Sequence, residues 1–491
     1  MKKIFNIRLI LLLLVLTMQF SCKKFLDLLP PNGLVREDYW KTKEDVAGVL
    51  MGAYQSFASM DGRLFAYGEA RGDMVIQSSG FTWSDDYKLM TSNIFPTNGF
   101  CSWEAFYKVI NYCNEVIANA PEVRKIDNTF TDFQLKGYMS EAYYLRSLSY
   151  FYLVRIFKDV PLILTPSSND GVDFYPPQTK GEDVLAAMMK DLNEYRPFAT
   201  DGYKTLQEIK GRATKASIDA LLADMALWNF DYTACIEYAD RILTNTNFVL
   251  MPSSKWFEMY YPGNSLESIF EFQFSNSLNQ LNGTYGLTNQ NAYAYLPSQA
   301  AIEKFAFKYA QEPVRGERNS IAMVSIDNYM IWKFAGKAAD GRTVRSSLEA
   351  NSCNWIVYRL ADIYLMKAEA LSQLNRFDEA SALLNIIRER ASVPPLSIGN
   401  SAIAFEDAIM DERALEFAYE GKRWFDLLRM GRRNDYARKA KLVELIIKNV
   451  PSTSKRILSA KLTNPLGWYL PVSKDEIERN KNLVQNPFYI F

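Results

Sequence analysis

The chain has 491 residues, of which 48% are hydrophobic and 23% are charged, a composition typical of a folded globular protein. Basic and acidic residues number 56 each, and no basic run could follow a phosphate backbone, which argues against a nucleic-acid partner. Histidine is absent, so Ser-His-Asp and Cys-His nucleophiles and histidine-containing zinc sites are excluded. An enzyme of this composition would depend on paired carboxylates, whereas the aromatic content of 14% favours binding by ring contacts.

The first segment has the layout of a secretory signal. Three basic residues precede an apolar run that begins at Leu9 and is too short to span a membrane comfortably. Residues 1–21 are therefore predicted to be a signal peptide. The Ser-Cys pair that ends at Cys22 resembles a bacterial lipobox, although Gln19 stands where leucine is usual, and Cys22 is the predicted lipidation site. Signal cleavage without lipidation is the alternative.

The four remaining cysteines form no CxxC pair, so the sequence suggests neither a redox motif nor a zinc cluster. If Cys101 and Cys113 lie on one helix, they are about 18 Å apart, which is too far for a disulfide. We expect buried free thiols, no metal site and no cofactor.

Helical patterns dominate the first half of the mature chain. Apolar residues recur at helical spacing after Thr42, from Trp103 to a break before Pro121, and across 133–157. The segment 179–182 has the composition of a capping box and predicts the start of a fourth helix.

Two later segments share one spacing of small, aromatic and apolar residues. They are Ala223, Tyr232, Cys235, Ala239 and Ile242, and then Ala368, Phe377, Ala380, Leu384 and Ile387. This spacing resembles the tetratricopeptide helical hairpin, in which small residues let two helices approach closely. Because two units do not form a stable solenoid, degenerate units are expected at 46–57 and 141–153. The alternative is a pair of unrelated hairpins with alanine-rich contacts.

The region between these hairpins has a different pattern. Phe270, Phe272 and Phe274 alternate with polar residues as in a short strand, and a second alternation runs through Met330, Trp332 and Phe334. We interpret residues 244–353 as an irregular, loop-rich subdomain inserted in a helical scaffold. The other predicted regions are a lipid anchor and N-terminal linker at 22–40, an N-terminal helical region at 41–243 and a C-terminal helical region at 354–491.

Five sequence blocks, in order, resemble the SusD/RagB family of nutrient-uptake outer-membrane lipoproteins. They are CKKFLD at 22–27, EAYYLR at 141–146 with FKDVPL at 157–162, GRATK at 211–215, YRLADIYLMKAEA at 358–370 with NIIRERA at 385–391, and the C-terminal segments at 412–429 and 485–489. Lys158 and Phe488 stand where glycine is usual or frequent in the family. The resemblance implies a mainly α fold, with a tetratricopeptide-like scaffold and a loop-rich subdomain that contains short strands.

The resemblance also implies a function. The protein would be a surface-exposed lipoprotein of the cell outer membrane that captures oligosaccharide or peptide and delivers it to a SusC-like TonB-dependent transporter without chemistry. A tetratricopeptide-like protein-interaction scaffold and a carboxylate-dependent glycosidase are the alternatives. The glycosidase is disfavoured because Glu412, Glu416 and Glu420 alternate with arginines, which should keep these carboxyls ionised.

Aromatic residues in a polar loop give the strongest signal for binding, because no helix face accounts for them. Sugar rings stack on aromatic faces, and amides pair with hydroxyls. The candidate ligand-binding residues are Phe81, Trp83, Tyr87 and Asn98 in the loop 71–101, and Tyr285, Asn289 and Tyr293 in the segment 285–295. Trp83 is the foremost candidate, since its small and polar neighbours offer little to bury it. The alternative is that these rings anchor the loop to the scaffold.

Overall fold

The computed structural model describes residues 39–78, 80, 84–168, 171, 173–200, 202–289, 294–305, 312–334, 336, 345–448, 450 and 452–490. The predicted signal peptide, Cys22 and nearly all of the linker lie outside these residues. Within the described part of the chain, no helix combines the length and the apolar character that crossing a membrane requires.

Helices make up most of the structure. In the first half they are α1 Lys43–Ala58, α2 Asp61–Glu69, α3 Asp85–Met90, α4 Glu104–Ile126, α5 Asp132–Phe157, α6 Gly181–Tyr195, α7 Leu206–Gly211, α8 Lys215–Trp228 and α9 Tyr232–Leu243. In the second half they are α10 Gly283–Thr288, α11 Gln299–Phe305, α12 Ser347–Ala350, α13 Leu360–Gln373, α14 Phe377–Arg390, α15 Ala402–Glu416, α16 Arg423–Tyr436, α17 Lys439–Ile447, α18 Ser452–Thr463 and α19 Lys474–Arg479.

The starts and ends of the first helices follow partly from local sequence. Thr42 and Asp45 form the capping box that begins α1. The predicted capping box at 179–182 is wrong: the backbone of Thr179 pairs with Val160, and α6 begins after Lys180 without a side-chain cap. The predicted break before Pro121 is also wrong, because α4 continues through this residue to Ile126.

Paired helices build the scaffold. Helix α4 packs against α1 and α5, α5 packs against α6, and α8–α9 and α13–α14 form two further hairpins. The alanines predicted to let these helices approach are fully buried, namely Ala223, Ala239, Ala368 and Ala380. The predicted mainly α, tetratricopeptide-like scaffold is therefore confirmed, with the repeat spacing marking α8–α9 and α13–α14.

Three two-stranded antiparallel sheets complete the fold. They pair β1 Val75–Gln77 with β3 Tyr295–Pro297, β2 Ser268–Phe272 with β6 Trp355–Arg359, and β4 Ile321–Ser325 with β5 Asn328–Ile331. Strand β2 ends before Phe274, and β5 ends before Trp332, so the expected alternations extend beyond the strands themselves. The β2–β6 ladder joins the range 244–353 to the C-terminal range.

Buried ion pairs tie the same two ranges together. The fully buried guanidinium of Arg359 donates to Glu267 at 2.7 Å, to Glu416 at 2.5 Å and to Glu420 at 2.9 Å. Glu420 also accepts a hydrogen bond from the buried ammonium of Lys333 at 3.0 Å. Because Glu267 and Lys333 belong to the range 244–353, the irregular segment shares a polar core with the C-terminal helices.

The cysteines of the described region match the prediction. Cys101, Cys113, Cys235 and Cys353 are all free and buried. Burial raises the pKa of the thiols of Cys101 and Cys113 to about 12, so these groups stay neutral and pack as small apolar side chains.

Candidate functional site

The two loop segments predicted as binding surfaces lie side by side. Strand β1 belongs to the loop 71–101, and it pairs with β3 in a register that places Gln77 opposite Tyr295. The ladder continues beyond the strands, since the Ser78 N–H donates to the Ala294 carbonyl at 3.1 Å. Segments more than 200 residues apart in sequence therefore form one surface, here called the loop surface.

Side-chain hydrogen bonds fix helix α3 on this ladder. The buried Tyr295 hydroxyl donates to the Asp86 carboxylate at 2.5 Å. Burial, and secondarily the charge of Asp86, raise the pKa of Tyr295 well above its usual value, so the hydroxyl keeps its proton. The Gln77 amide nitrogen donates at 2.6 Å to the Ser84 hydroxyl, which also caps the start of α3 by accepting from the Tyr87 N–H.

Helix α10 is held in place by the scaffold. The buried carboxylate of Asp61, at the start of α2, accepts hydrogen bonds from the Gly283 and Thr284 N–H groups and from the Thr284 hydroxyl. Tyr285 is half-buried against the small cluster that Ala322 of β4 and Met330 of β5 form. The Asn289 amide nitrogen donates to the Tyr285 carbonyl at 3.1 Å. Hydrogen bonds to α2 and packing on the β4–β5 hairpin thus fix the position of the described part of the predicted segment 285–295.

The loop residues divide into exposed and structural ones. The Tyr87 side chain on α3 is 36% exposed, and Phe95 is 48% exposed. Asn98 is only 4% exposed, and its amide group donates to the Asp85 carbonyl and accepts from the Phe100 N–H. Asn98 therefore has a structural role as the cap of the 3₁₀ turn Gly99–Cys101, and its amide is not presented to a ligand.

Phe100 anchors the loop, as the alternative interpretation of the loop aromatics anticipated. Its ring packs edge-to-face on Tyr67 at 5.5 Å between centroids. The Arg63 guanidinium lies 5.4 Å from the Phe100 ring centroid and donates to the Gly99 carbonyl at 2.7 Å. These contacts attach the end of the loop to α2.

Three candidates, Phe81, Trp83 and Tyr293, lie outside the described residues. Their described neighbours are Gly80 and Ser84 on one segment and Ala294 on the other. Because Ser84 and Ala294 both contact the β1–β3 ladder region, the two candidate segments join the described structure at neighbouring points.

Other groups on this surface were not predicted from the sequence. The Gln77 amide oxygen is buried, and no donor reaches it from the described part of the chain. The β4–β5 hairpin, which packs beside β3, exposes Met323, Val324 and Ile326, the last with 89% of its surface accessible. Alternation of apolar residues predicts a strand but does not say which face is covered, so sequence alone gave no sign of this exposure.

Helical hairpins form a scaffold, and this scaffold carries a loop surface with exposed aromatic residues. Such an arrangement is typical of a binding protein, and comparison with known proteins identifies the family. The chain belongs to the SusD family, whose profile matches residues 226–489. A second profile, described as "Starch-binding associating with outer membrane", matches residues 24–227. Together the two matches cover residues 24–489 and agree with the resemblance inferred from the five sequence blocks.

Curated relatives are similar over most of their length. "SusD-like protein P38" of Formosa agariphila is 26% identical over 479 residues, which cover 87% of this chain and 92% of that protein. "SusD-like protein P2" of the same organism is 25% identical, with 88% and 91% of the two chains covered.

Solved structures share the fold. A SusD superfamily protein from Bacteroides vulgatus aligns with a TM-score of 0.76 at 20% identity and covers 92% of this chain and all of that one. A structure described as a laminarin-binding SusD-like protein aligns with a TM-score of 0.72 at 21% identity and covers 91% of this chain and all of that one. At these identities the likeness establishes the fold.

Proposed function

We propose that this protein is the surface-exposed, lipid-anchored component of an outer-membrane importer, which captures an oligosaccharide and hands it to a SusC-like TonB-dependent transporter. The observation that carries the proposal is the joining of two distant aromatic segments by the β1–β3 ladder and the Asp86–Tyr295 hydrogen bond. The described rings of this surface, Tyr87 on α3 and Tyr285 on α10, stand on ordered backbone, which lowers the entropic cost of binding.

Oligosaccharide is favoured over peptide as the cargo for two reasons. One family profile that matches this chain is described as starch-binding, and one protein of the same fold is described as laminarin-binding. The described loop surface presents the rings of Tyr87 and Tyr285, which suit stacking on a sugar ring.

Binding without turnover fits the electrostatics of the acidic residues at and just after the end of helix α15. Burial alone would raise the pKa of Glu416, but Arg390, Arg359 and Arg315 outweigh burial and lower this pKa well below its usual range. Arg359 and Lys333 likewise outweigh burial and lower the pKa of Glu420. Glycoside hydrolysis needs a carboxyl that keeps a proton near neutral pH, and these two residues do not provide one.

The membrane anchor is part of the proposal. Acylation of Cys22 with more than one chain would hold the protein stably at the membrane. The segment that follows Cys22 would connect the anchor to α1, which begins at Lys43. Anchored in this way, the protein would act as a lid above its transporter.

A binding assay with matched variants tests the proposed ligand class. Chains beginning at residue 23 are titrated by calorimetry with maltohexaose, laminarihexaose and a set of neutral hexapeptides. Trp83→Ala and Tyr87→Ala should each weaken oligosaccharide binding by about 10- to 150-fold while changing the melting temperature little. Phe133→Ala removes an exposed ring from the first turn of α5, away from the loop surface, and should bind as the parent does.

The same titrations would also reveal results that contradict the proposed function. Binding of the peptides but of neither oligosaccharide would reassign the cargo. Release of shorter sugars during the titration would make the protein an enzyme. A stable Trp83→Ala and Tyr87→Ala double variant that binds as tightly as the parent would exclude the loop surface as the binding site.

A further inference from the structure

A second concave surface lies outside the loop surface and shares no residue with it. This cleft has a volume of about 500 Å³, which is within the range of about 300–1,000 Å³ typical of small-molecule sites. Its walls are the start of α4, the segment after α5, the segment 174–176, and α19 with the turn that follows it.

Two adjacent aromatic side chains stand at the mouth of the cleft. Phe174 is 59% exposed and Tyr175 is 55% exposed. Their backbone is nevertheless fixed, because the Tyr175 carbonyl accepts from the Asn482 amide and the Pro176 carbonyl accepts from the Asn480 amide, both at 2.8 Å. Exposure of these rings is therefore a property of an ordered segment, and exposed neighbouring rings on ordered backbone mark interaction sites.

The floor of the cleft is also aromatic. Trp103 and Tyr107 line it, with ring centroids 6.0 Å apart, and the Tyr107 hydroxyl donates to the Pro161 carbonyl at 2.6 Å. The Trp103 indole N–H is buried, and no acceptor for it exists among the residues that the structure describes. This N–H has almost no accessible surface, so the floor offers a ligand apolar ring surface and no hydrogen-bond donor from Trp103.

Charged groups of both signs form the rim. Glu104 and Glu476 offer carboxylate acceptors, and Arg479 offers guanidinium donors. Burial, with additional repulsion from Asp475 and Glu104, raises the pKa of Glu476 against the opposing effect of Arg479. Because the rim carries both signs of charge, the two acids would repel an anionic ligand and the arginine would repel a cationic one. A neutral ligand with many hydroxyl groups is repelled by neither, and its hydroxyls can pair with both the acceptors and the donors.

We propose that this cleft is a second carbohydrate-binding site, which holds one pyranose ring of a neutral glycan. Phe174 and Tyr175 stack on the sugar, Glu104 and Glu476 accept from its hydroxyls, and Arg479 donates to them. The inference rests on the proposed function for its ligand class. The cleft adjoins the loop that carries Tyr87, since the Lys474 N–H of α19 donates to the Pro96 carbonyl at 2.9 Å.

Fluorine NMR on protein labelled with 5-fluorotryptophan tests the two sites separately. The Trp103 signal is assigned by its loss in Trp103→Phe or, if that variant does not fold, by its shift in Tyr107→Phe. The Trp83 signal is assigned by its loss in Trp83→Phe. Glucose, galactose, mannose, xylose and N-acetylglucosamine are each added to about 100 mM, because a single sugar ring binds in the millimolar range.

At least one sugar should shift the Trp103 signal with saturation. Tyr175→Ala and Glu476→Gln should each weaken that response about 3- to 10-fold without lowering the melting temperature, and Phe174→Ala provides a second ring variant. The second site is overturned if no sugar shifts the Trp103 signal. It is also overturned if the signal shifts in Tyr175→Ala and Phe174→Ala as much, and at the same sugar concentration, as in the parent. The response of the Trp83 signal reports the loop surface in the same spectra, so failure of one site is distinguishable from failure of the other.

Discussion

Glu369→Gln tests whether buried ion pairs hold the last scaffold hairpin against α16. Glu369 lies on α13 with no exposed surface, and its carboxylate accepts from Arg429 at 2.9 and 2.7 Å and from Arg433 at 2.5 Å. Burial alone would raise the pKa of Glu369, but the two guanidiniums outweigh burial and lower the pKa to about 2.

The lowered pKa gives the magnitude and the pH dependence. A fall from the ordinary value of 4.5 to about 2 corresponds to roughly 3.5 kcal/mol of stabilisation, at about 1.4 kcal/mol for each pKa unit. Because the folded-state pKa is the lower one, the stabilisation is complete above about pH 4.5 and is lost as the pH falls toward 2. By about pH 3.5, roughly 1.4 kcal/mol of it should be gone, since the unfolded chain then binds a proton that the folded chain does not.

Urea unfolding followed by tryptophan fluorescence measures the effect. At about pH 7, Glu369→Gln should be destabilised by about 3.5 kcal/mol relative to the parent, and the difference should shrink to about 2 kcal/mol near pH 3.5. Glu237→Gln changes an exposed carboxylate on α9 and should alter stability by less than about 0.5 kcal/mol at either pH. A Glu369→Gln difference that is the same at both pH values would show that the charge of Glu369 is not what stabilises the hairpin.

Four further outcomes are expected. Cys22→Ser should move the protein from the membrane fraction to the soluble fraction in cells that lack the transporter, and retention after a high-salt wash would exclude the anchor. Ala380→Leu should overpack the α13–α14 hairpin and lower the free energy of unfolding by about 1–3 kcal/mol, which an unchanged melting temperature would contradict. Tyr295→Phe should cost about 1–2 kcal/mol in urea unfolding, because Asp86 loses a hydrogen bond, and Asp86→Asn in the same background should add little. Lys158→Gly should raise the melting temperature, since Lys158 has a φ of +73°, and a lower melting temperature would mean that its side chain contributes more than the backbone strain costs.

The scaffold was predictable because its signals are local. The capping residues of α1 and the small-residue spacing of α8–α9 and α13–α14 are fixed by neighbours within a few turns, and the structure has each of them. Lys158 illustrates the same point, because here the sequence departs from the glycine that the resemblance leads one to expect. It follows α5 with a φ of +73°, a left-handed conformation that glycine adopts without cost, as the expected glycine at this position would.

The loop surface was predictable only in part, because its geometry comes from contacts that are distant in sequence. Aromatic composition singled out Tyr87 and Tyr285, but nothing local indicated that β1 would pair with β3. Asn98 illustrates the same difficulty. An asparagine among aromatic residues is equally suited to a ligand hydroxyl and to capping a turn, and the Asp85 carbonyl and the Phe100 N–H 2.9–3.1 Å away decide for the cap. Thr179 is a further case, since its pairing with Val160 replaced the expected capping box.

The buried charges connect the scaffold to the loop surface. Asp73 lies just before β1, and its carboxylate accepts from the buried guanidinium of Arg423 on α16 at 2.6 and 2.9 Å. The Asp73 carbonyl in turn accepts from the Ser298 hydroxyl, one residue after β3, at 2.6 Å. A charge-assisted pair from the C-terminal helices therefore fixes the base of the ladder that carries both candidate segments. Removing either partner of a buried pair costs about 3–5 kcal/mol, because the remaining charge is left uncompensated, so Asp73 and Arg423 must stay together at the base of this three-pair ladder. Under the proposed function, a ligand that stacks on Tyr87 or Tyr285 would meet side chains on backbone that is already positioned, and less of its binding free energy would be spent on ordering them.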